Sequence, residues 1–390
     1  MRKIKISLLL KIVIAILAGI GCSWFFPPAL ARVFVTVNSL FGNFLNFIIP
    51  LLILGLVAPG IAELGRGAGR MLGATTLIAY VSTVLSGYFA YGVCGAVYPH
   101  ILDADAFAVS QSVVSGNGLD PYFVIDMPPL FGVMSALVLS FVLGLALSAI
   151  KGNIMRGMLS EFREVIMMVI RKVIIPLLPL YIFGIFLKMG VEGTVMTILA
   201  LFLKVIIVIF VLHVALLLIQ FCIAGAVAGK NPLRSLRNML PAYMTALGTQ
   251  SSAATIPVTL AQAKKNGVRA EVADFVIPLC GTIHLSGSTL KIVACALALS
   301  IMTGMPSDIG VYTEFIFMLG IAMVAAPGVP GGAIMASIGI IGSILGFDED
   351  MQGLMIALYI AMDSFGTACN VTGDGAIAMI VDRIFKRSAV

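Results

Sequence analysis

Charge is what this sequence has least of. Only 11 % of its 390 residues are Asp, Glu, Lys or Arg, against 60 % apolar types, where a soluble domain carries roughly 25 % charged residues. So few charges cannot coat a soluble surface of this size, and they are clumped. Soluble-enzyme, disordered and collagen-like classes are excluded on that ground. A membrane β-barrel is excluded too, because it would alternate polar and apolar residues in ~10-residue segments rather than run apolar without a break. Cysteine patterning is equally bare. Cys22, Cys94, Cys222, Cys280, Cys295 and Cys369 all lie in apolar runs and form no CxxC pair. They read as small buried hydrophobes, with neither a disulfide framework nor a zinc site. The net charge of +6 is the basic excess of cytoplasmic loops in a polytopic protein and does not imply a nucleic-acid partner.

What is present is a series of charge-free windows: 12–31, 33–62, 71–102, 127–150, 173–187, 205–229, 238–263, 275–290, 292–307 and 315–347. A perpendicular helical span needs ~20 residues, so these define an all-α polytopic membrane protein. Ala29-Leu30-Ala31 imitates a signal-peptidase site, but the uncharged stretch before it is longer than a usual signal core, so a retained first span is expected. Basic clusters (Arg2, Lys3, Lys5; Arg66, Arg70; Lys151 to Lys172; Lys230, Arg234, Arg237; Arg383, Lys386, Arg387) alternate with acidic loops such as Asp103, Asp105, Asp120 and Asp126. The positive-inside rule then puts the N-terminus and the C-terminus in the cytoplasm, with 151–172 as a basic loop. Lys188, Glu192 and Lys204 fall near helix ends or snorkel.

Two windows break the pattern. The run 238–263 has basic residues on both flanks, and its middle, Gly248-Thr249-Gln250-Ser251-Ser252-Ala253-Ala254, is small and polar. Both flanks stay inside if it folds back as a re-entrant hairpin. The run 315–347 has acidic residues on both flanks and Ala326-Pro327-Gly328-Val329-Pro330-Gly331-Gly332 in its middle. Two prolines and three glycines cannot continue a helix, so a second hairpin enters from the opposite side. After each hairpin comes a helix interrupted by polar residues, first at Gly281–Ser288 and then at Asp363–Asp374. Such a repeat marks the ion- and substrate-binding region of secondary transporters. Within it, Asp363 and Asp374 are carboxylates at membrane depth, which are functional unless they serve as ion pairs within the bundle.

These stretches, with Ser251-Ser252-Ala253-Ala254-Thr255-Ile256-Pro257, Pro278-Leu279-Cys280-Gly281-Thr282, Gly328-Val329-Pro330-Gly331-Gly332 and Asn370-Val371-Thr372-Gly373-Asp374 in order, resemble the dicarboxylate/amino acid:cation symporters, which include glutamate transporters and bacterial serine/threonine symporters. The resemblance implies eight transmembrane helices plus two re-entrant hairpins in inverted repeat, and a homotrimer. Residues 1–70 (helices 1 and 2) and 127–190 (helices 4 and 5) would form a scaffold. Helix 3 (71–102) and residues 193–390, holding helix 6, the hairpin at 238–263, helix 7, the hairpin at 315–347 and helix 8, would form a transport domain. That domain would slide like an elevator, with the hairpins as gates.

The resemblance also implies roles. Asp374 would hold a sodium ion with main-chain oxygens around Cys280, Thr282, His284, Leu285 and Asn370. Asp363 would pair with a substrate ammonium, beside Thr367, and Asn370 with its α-carboxylate. Ser251, Ser252, Gly328 and Val329 at the hairpin tips and Ser288 would complete the substrate site. The departures matter as much. Gly366 stands where glutamate carriers have a side-chain-clamping arginine, and Gln250 replaces the first-hairpin arginine. A carboxylate clamp needs a guanidinium, so a neutral amino acid such as serine, threonine or alanine is favoured. Lys291, inside the apolar stretch 275–307, leaves a rival open: an acidic substrate clamped by lysine. It could instead pair with Asp363 or replace a bound cation. His284 and Ser286 stand where sodium-coupled members carry asparagine and aspartate, so an additional sodium site that retains Thr83 beside Val84 is lost or altered. Proton coupling through His284 stays open. His100 and His213 are assigned no role. The expected protein is a cation-coupled symporter of the cell membrane with no cofactor and no enzymatic activity. A channel with re-entrant filters is the alternative class, and an intramembrane protease lacks a second catalytic segment.

Overall fold

The computed structural model describes residues 8–64, 70–102, 119–150 and 152–387. Arg2, Lys3, Lys5, Arg66, Asp103, Asp105 and Lys151, used above for orientation, lie outside the described residues. Among those described, secondary structure is helical throughout. In chain order the helices are α1 (Leu8–Ser23), α2 (Pro28–Leu64), α3 (Arg70–Ile101), α4 (Val133–Ala149), α5 (Ile154–Val191) and α6 (Val195–Ala228). Then come α7 (Pro232–Thr249) and α8 (Ser252–Lys265), α9 (Ala270–Ile283) and α10 (Ser286–Thr303), α11 (Ile309–Ala325) and α12 (Gly332–Leu345), and finally α13 (Glu349–Ala361) and α14 (Asp363–Arg387). Five spans are long and apolar enough to cross a bilayer (α2, α3, α5, α6 and α9–α10), and the bent pair α13–α14 makes a sixth. The shorter apolar helices α1 and α4, of 16 and 17 residues, complete the expected eight.

The lipid-facing surface is written in the periodicity. Leu203, Ile207, Val211 and Val214 on α6, and Leu77, Val81 and Leu85 on α3, are exposed at helical spacing. The interior is α9–α10 and α13–α14, in which every residue from Ile283 to Ser300 and from Met351 to Ile360 is buried. Helices α1, α2, α4 and α5 pack on one another, while α3, α6, α7 to α10 and α14 pack together. α11, α12 and α13 touch both groups.

The first hairpin is α7 and α8. Asn231 caps α7 by accepting the Arg234 N–H at 2.9 Å, with Pro232 at the first helical position. The chain reverses at Gln250, left-handed at φ 53° and the only positive-φ residue other than glycine among those described. Ser251 then caps α8 through the Ala254 N–H. The second hairpin, α11 and α12, is capped by Asp308 and turns through 326–331, ending on Gly331 at φ 74°.

Three expectations need correction. The final polar stretch does not interrupt its helix. α14 is continuous from Asp363, and the break, a 62° bend, lies just before it at Met362. The glycines serve close packing instead. A Cβ at Gly366 would stand 2.9 Å from Lys291 Nζ, one at Gly373 would stand 2.7 Å from Gln220 Oε1, and one at Gly375 would stand 2.7 Å from Met239 Cε. Segment 151–172 is not a loop. From Ile154 it is the first half of α5, passing through one π-type turn at Ile170–Ile174. Charges do not stop a helix, and here Arg156 donates to the carbonyls of Leu147 and Ile150 at the end of α4. The cysteines are also not uniformly buried, because Cys222 is exposed and Cys22 is half-buried.

Candidate functional site

The break at His284–Leu285 between α9 and α10 lies against α14. Three sets of contacts join them. His284 Nδ1 lies 2.9 Å from Asp374 Oδ1. Asn370 Oδ1 accepts the N–H groups of Gly287 (2.8 Å) and Ser288 (3.2 Å), and its Nδ2 donates to Ser288 Oγ at 3.0 Å. Lys291 Nζ lies 3.4 Å from Asp363 Oδ1. As the number rises on α10 it falls on α14, so the two helices run antiparallel and carry three polar rungs. Asp363 and Asp374, eleven residues apart on an unbroken helix, are about 16 Å apart along the axis and only about 20° apart around it.

At the Asp374 rung polar contacts run through four side chains. Gln220 Nε2 donates to Ser82 Oγ (3.2 Å) and to Ser286 Oγ (3.0 Å). Ser82 Oγ lies 3.0 Å from His284 Nε2. Ser86 Oγ donates to the Ser286 carbonyl at 2.8 Å. Thr83 is buried with no hydrogen-bond partner for its hydroxyl, as are the Gln220 Oε1 and Thr372 Oγ1 atoms. Cys280 and Leu285 are buried beside the break, and their carbonyls accept the N–H groups of His284 and Thr289. Thr282 instead has an exposed side chain whose hydroxyl donates to the Leu279 carbonyl, so its side chain does not join the cluster.

At the Asp363 rung the hairpins converge. Asp363 Oδ2 accepts the Gly331 N–H at 2.8 Å. Ser251 Oγ donates to the Gly328 carbonyl at 3.0 Å, joining the two tips, and Gln250 Nε2 donates to Ser364 Oγ at 2.7 Å. Ser252 and Thr367 are buried, and Val329 is half-buried. Lys291 is fully buried. Its ammonium also donates to the Tyr359 carbonyl at 3.2 Å and lies 3.3 Å from the centre of the Tyr359 ring. Tyr359 Oη donates to Ser288 Oγ at 3.1 Å. Contacts thus join Gln250, Ser251, Gly328, Lys291 and Asp363 around one rung and His284, Ser286 and Asp374 around another, with Ser288 and Asn370 between them and the Thr282 side chain outside both.

Sequence reasoning missed Ser82, Gln220, Tyr359 and Gly331, and it set His213 aside. His213 is buried, with Nε2 3.0 Å from the Gly287 carbonyl. His213 and Gln220 carried a usable signal, since polar side chains inside an apolar span face the bundle interior. Tyr359 carried none. Among the described residues no group of three His, Cys, Asp or Glu side chains is arranged to hold a metal ion.

Comparison with known proteins adds a family. The model of the "Sodium:dicarboxylate symporter family" matches residues 8–384. Excitatory amino acid transporter 3 of Mus musculus is 33 % identical over 162 residues, 41 % of this chain and 31 % of that protein. Excitatory amino acid transporter 5 of Homo sapiens is 30 % identical over 159 residues, 40 % of this chain and 28 % of that protein. The matched stretch thus spans less than a third of those relatives. Serine/threonine transporter SstT of Acinetobacter baylyi is 26 % identical over 410 residues, 98 % of each chain.

Proposed function

The chain belongs to the sodium:dicarboxylate symporter family, and from that premise we propose that it is a secondary active transporter importing a small neutral amino acid with a cation gradient. Serine, threonine and alanine are the expected substrates. The observation that carries the substrate class is the surroundings of Gly366. No guanidinium stands there to clamp a side-chain carboxylate, and the nearby cation, Lys291, is engaged by Asp363 and Tyr359. The relative matched over nearly its full length is named a serine/threonine transporter, which supports the same class. The substrate ammonium goes to Asp363. Its carboxylate goes to Asn370 and to the helix N-terminus at Ser251 and Ser252, a position that favours anions. Ser288 and Thr367 border the side chain, and the tips at Gly328 and Val329 close over it.

Sodium is the leading coupling ion, held by Asp374 and main-chain carbonyls near Cys280, His284, Leu285 and Asn370. The 2.9 Å contact of His284 with Asp374 favours a second reading, in which coupling does not use sodium at that carboxylate. The two packing groups of helices support a scaffold of α1, α2, α4 and α5 and a moving unit built on α3, α6 to α10 and α14. The protein works as an elevator in a homotrimer of the plasma membrane, with both termini cytoplasmic.

The test is uptake into proteoliposomes. Labelled serine or threonine should accumulate above its external concentration when sodium is high outside, and aspartate should not. Asp374→Asn should remove the sodium dependence. Aspartate uptake that disappears in Lys291→Ala would replace the neutral substrate with an acidic one, and equilibration without accumulation would make the protein a channel.

A further inference from the structure

Lys291 lies on α10 with 0 % exposure. Three groups hold it. Two belong to Tyr359, the carbonyl at 3.2 Å and the ring at 3.3 Å, and neither needs a substrate to be present or absent. The third is Asp363 Oδ1 at 3.4 Å, on the carboxylate that the proposed function gives to the substrate ammonium. That contact is long for a charge-assisted hydrogen bond, which closes to about 2.7–2.9 Å. The other oxygen of Asp363 is firmly held by the Gly331 N–H at 2.8 Å. The carboxylate is thus fixed on one side and loosely countered on the other.

The space for the ammonium is made by a missing side chain. A Cβ at Gly366 would stand 2.9 Å from Lys291 Nζ and 3.2 Å from Cε. The lysine stem is flexible and its head is a compact point charge, the same chemical group as the ammonium of an amino acid. A carrier must also move its empty site back across the membrane. Once substrate leaves, Asp363 without a partner would be a bare carboxylate at membrane depth, which is strongly unfavourable.

We propose that Lys291 is a tethered counter-cation: its ammonium neutralises Asp363 in the empty carrier, and the ammonium of an arriving amino acid displaces it onto Tyr359. This rests on the assignment of Asp363 to the substrate ammonium. Two consequences follow. The empty carrier returns without taking a cation from the cell interior. Lys291 also governs net uptake more than exchange, because in exchange the carrier crosses loaded in both directions and Asp363 always has a substrate partner.

The experiment uses the full-length protein in liposomes and compares net uptake of labelled serine with its exchange against internal unlabelled serine. In the unaltered protein, net uptake should be the same with potassium or choline inside. Dependence on internal potassium would overturn the proposal. In Lys291→Met the ratio of net uptake to exchange should fall at least about tenfold, because Asp363 then returns unpaired. In Lys291→Arg, which keeps the charge, the ratio should stay closer to that of the unaltered protein. Internal ammonium should restore net uptake to Lys291→Ala by filling the vacated place. An unchanged ratio in Lys291→Met overturns the proposal whatever the absolute rates. If Lys291→Met carries neither flux, Lys291→Ala decides: recovery with internal ammonium supports a tethered cation, and no recovery refutes it. Failure of the transport reading itself would look different, since the unaltered protein would then neither exchange nor accumulate serine.

Discussion

Replacing Asp363 by asparagine, Lys291 by methionine, and both together measures how far the two buried charges depend on each other. They lie 3.4 Å apart, with side chains 0 % and 6 % exposed. At an effective dielectric of about 20, unit charges at that distance attract by about 5 kcal/mol, and desolvation offsets much of this. Each charge keeps a second partner when the other is removed. Lys291 retains the Tyr359 carbonyl and ring, the ring contact being worth about 2 kcal/mol in a desolvated setting, and Asp363 retains the Gly331 N–H. Neither partner is an opposite full charge, so each single variant should lose about 3 kcal/mol or more. The double variant removes both charges and should be more stable than the sum of the two losses by at least about 2 kcal/mol. Reversible unfolding in mixed micelles, without substrate, gives the four free energies of the cycle. A coupling within about 0.5 kcal/mol of zero would refute the view that these charges pair in the empty protein.

Three further outcomes are expected. Asn370→Ala removes the acceptor for two N–H groups of α10 and the donor to Ser288, so it should cost about 1–2 kcal/mol in unfolding experiments and abolish thermal stabilisation by serine. Gly366→Leu drives a side chain into Lys291 and should eliminate serine uptake, whereas Gly92→Leu, where nothing lies within 4 Å, should leave uptake close to that of the unaltered protein. Lys188→Ala breaks a 2.6 Å pair with Asp350 whose side chains are 26 % and 50 % exposed. Solvent screening limits that loss to about 1 kcal/mol or less, and added salt should shrink it further.

The hairpins were legible because charge told on them from outside. Lys and Arg on both flanks of 238–263, and acids on both flanks of 315–347, required each run to turn back, and the turns lie at Gln250–Ser251 and 326–331. The bend before Asp363 was not legible. A glycine inside a helical pattern signals either a break or a close approach, and Gly366, Gly373 and Gly375 are approached by Lys291, Gln220 and Met239 from other parts of the chain. The length of α5 was hidden for a related reason: its first half is charged, and a charge count reads polarity rather than helicity. Of the site, the carboxylates and the hairpin serines stood out because polar groups are scarce at that depth. Tyr359 did not, because a tyrosine in an apolar run looks like any core aromatic until Lys291 is placed against its ring.

The two acids of α14 share one solution to one problem. Each is buried, and each faces a basic side chain from the chain around the α9–α10 break: His284 for Asp374 and Lys291 for Asp363. The two partners differ in kind. A histidine can donate to a carboxylate in either its neutral or its protonated form, whereas a lysine ammonium brings a full charge. The proposed sites use this difference: Asp374 is assigned to a coupling cation, and Asp363 to an ammonium, from Lys291 in the empty carrier and from the substrate in the loaded one. Between them Asn370 ties the same two helices. It is the one residue assigned to both proposed sites, by its side chain to the amino acid and by its main-chain carbonyl to the ion, so occupation of either bears on the same antiparallel contact. In the proposed assignment ion and amino acid need no long path between them, because their sites are the outer two of three rungs on a single pair of helices.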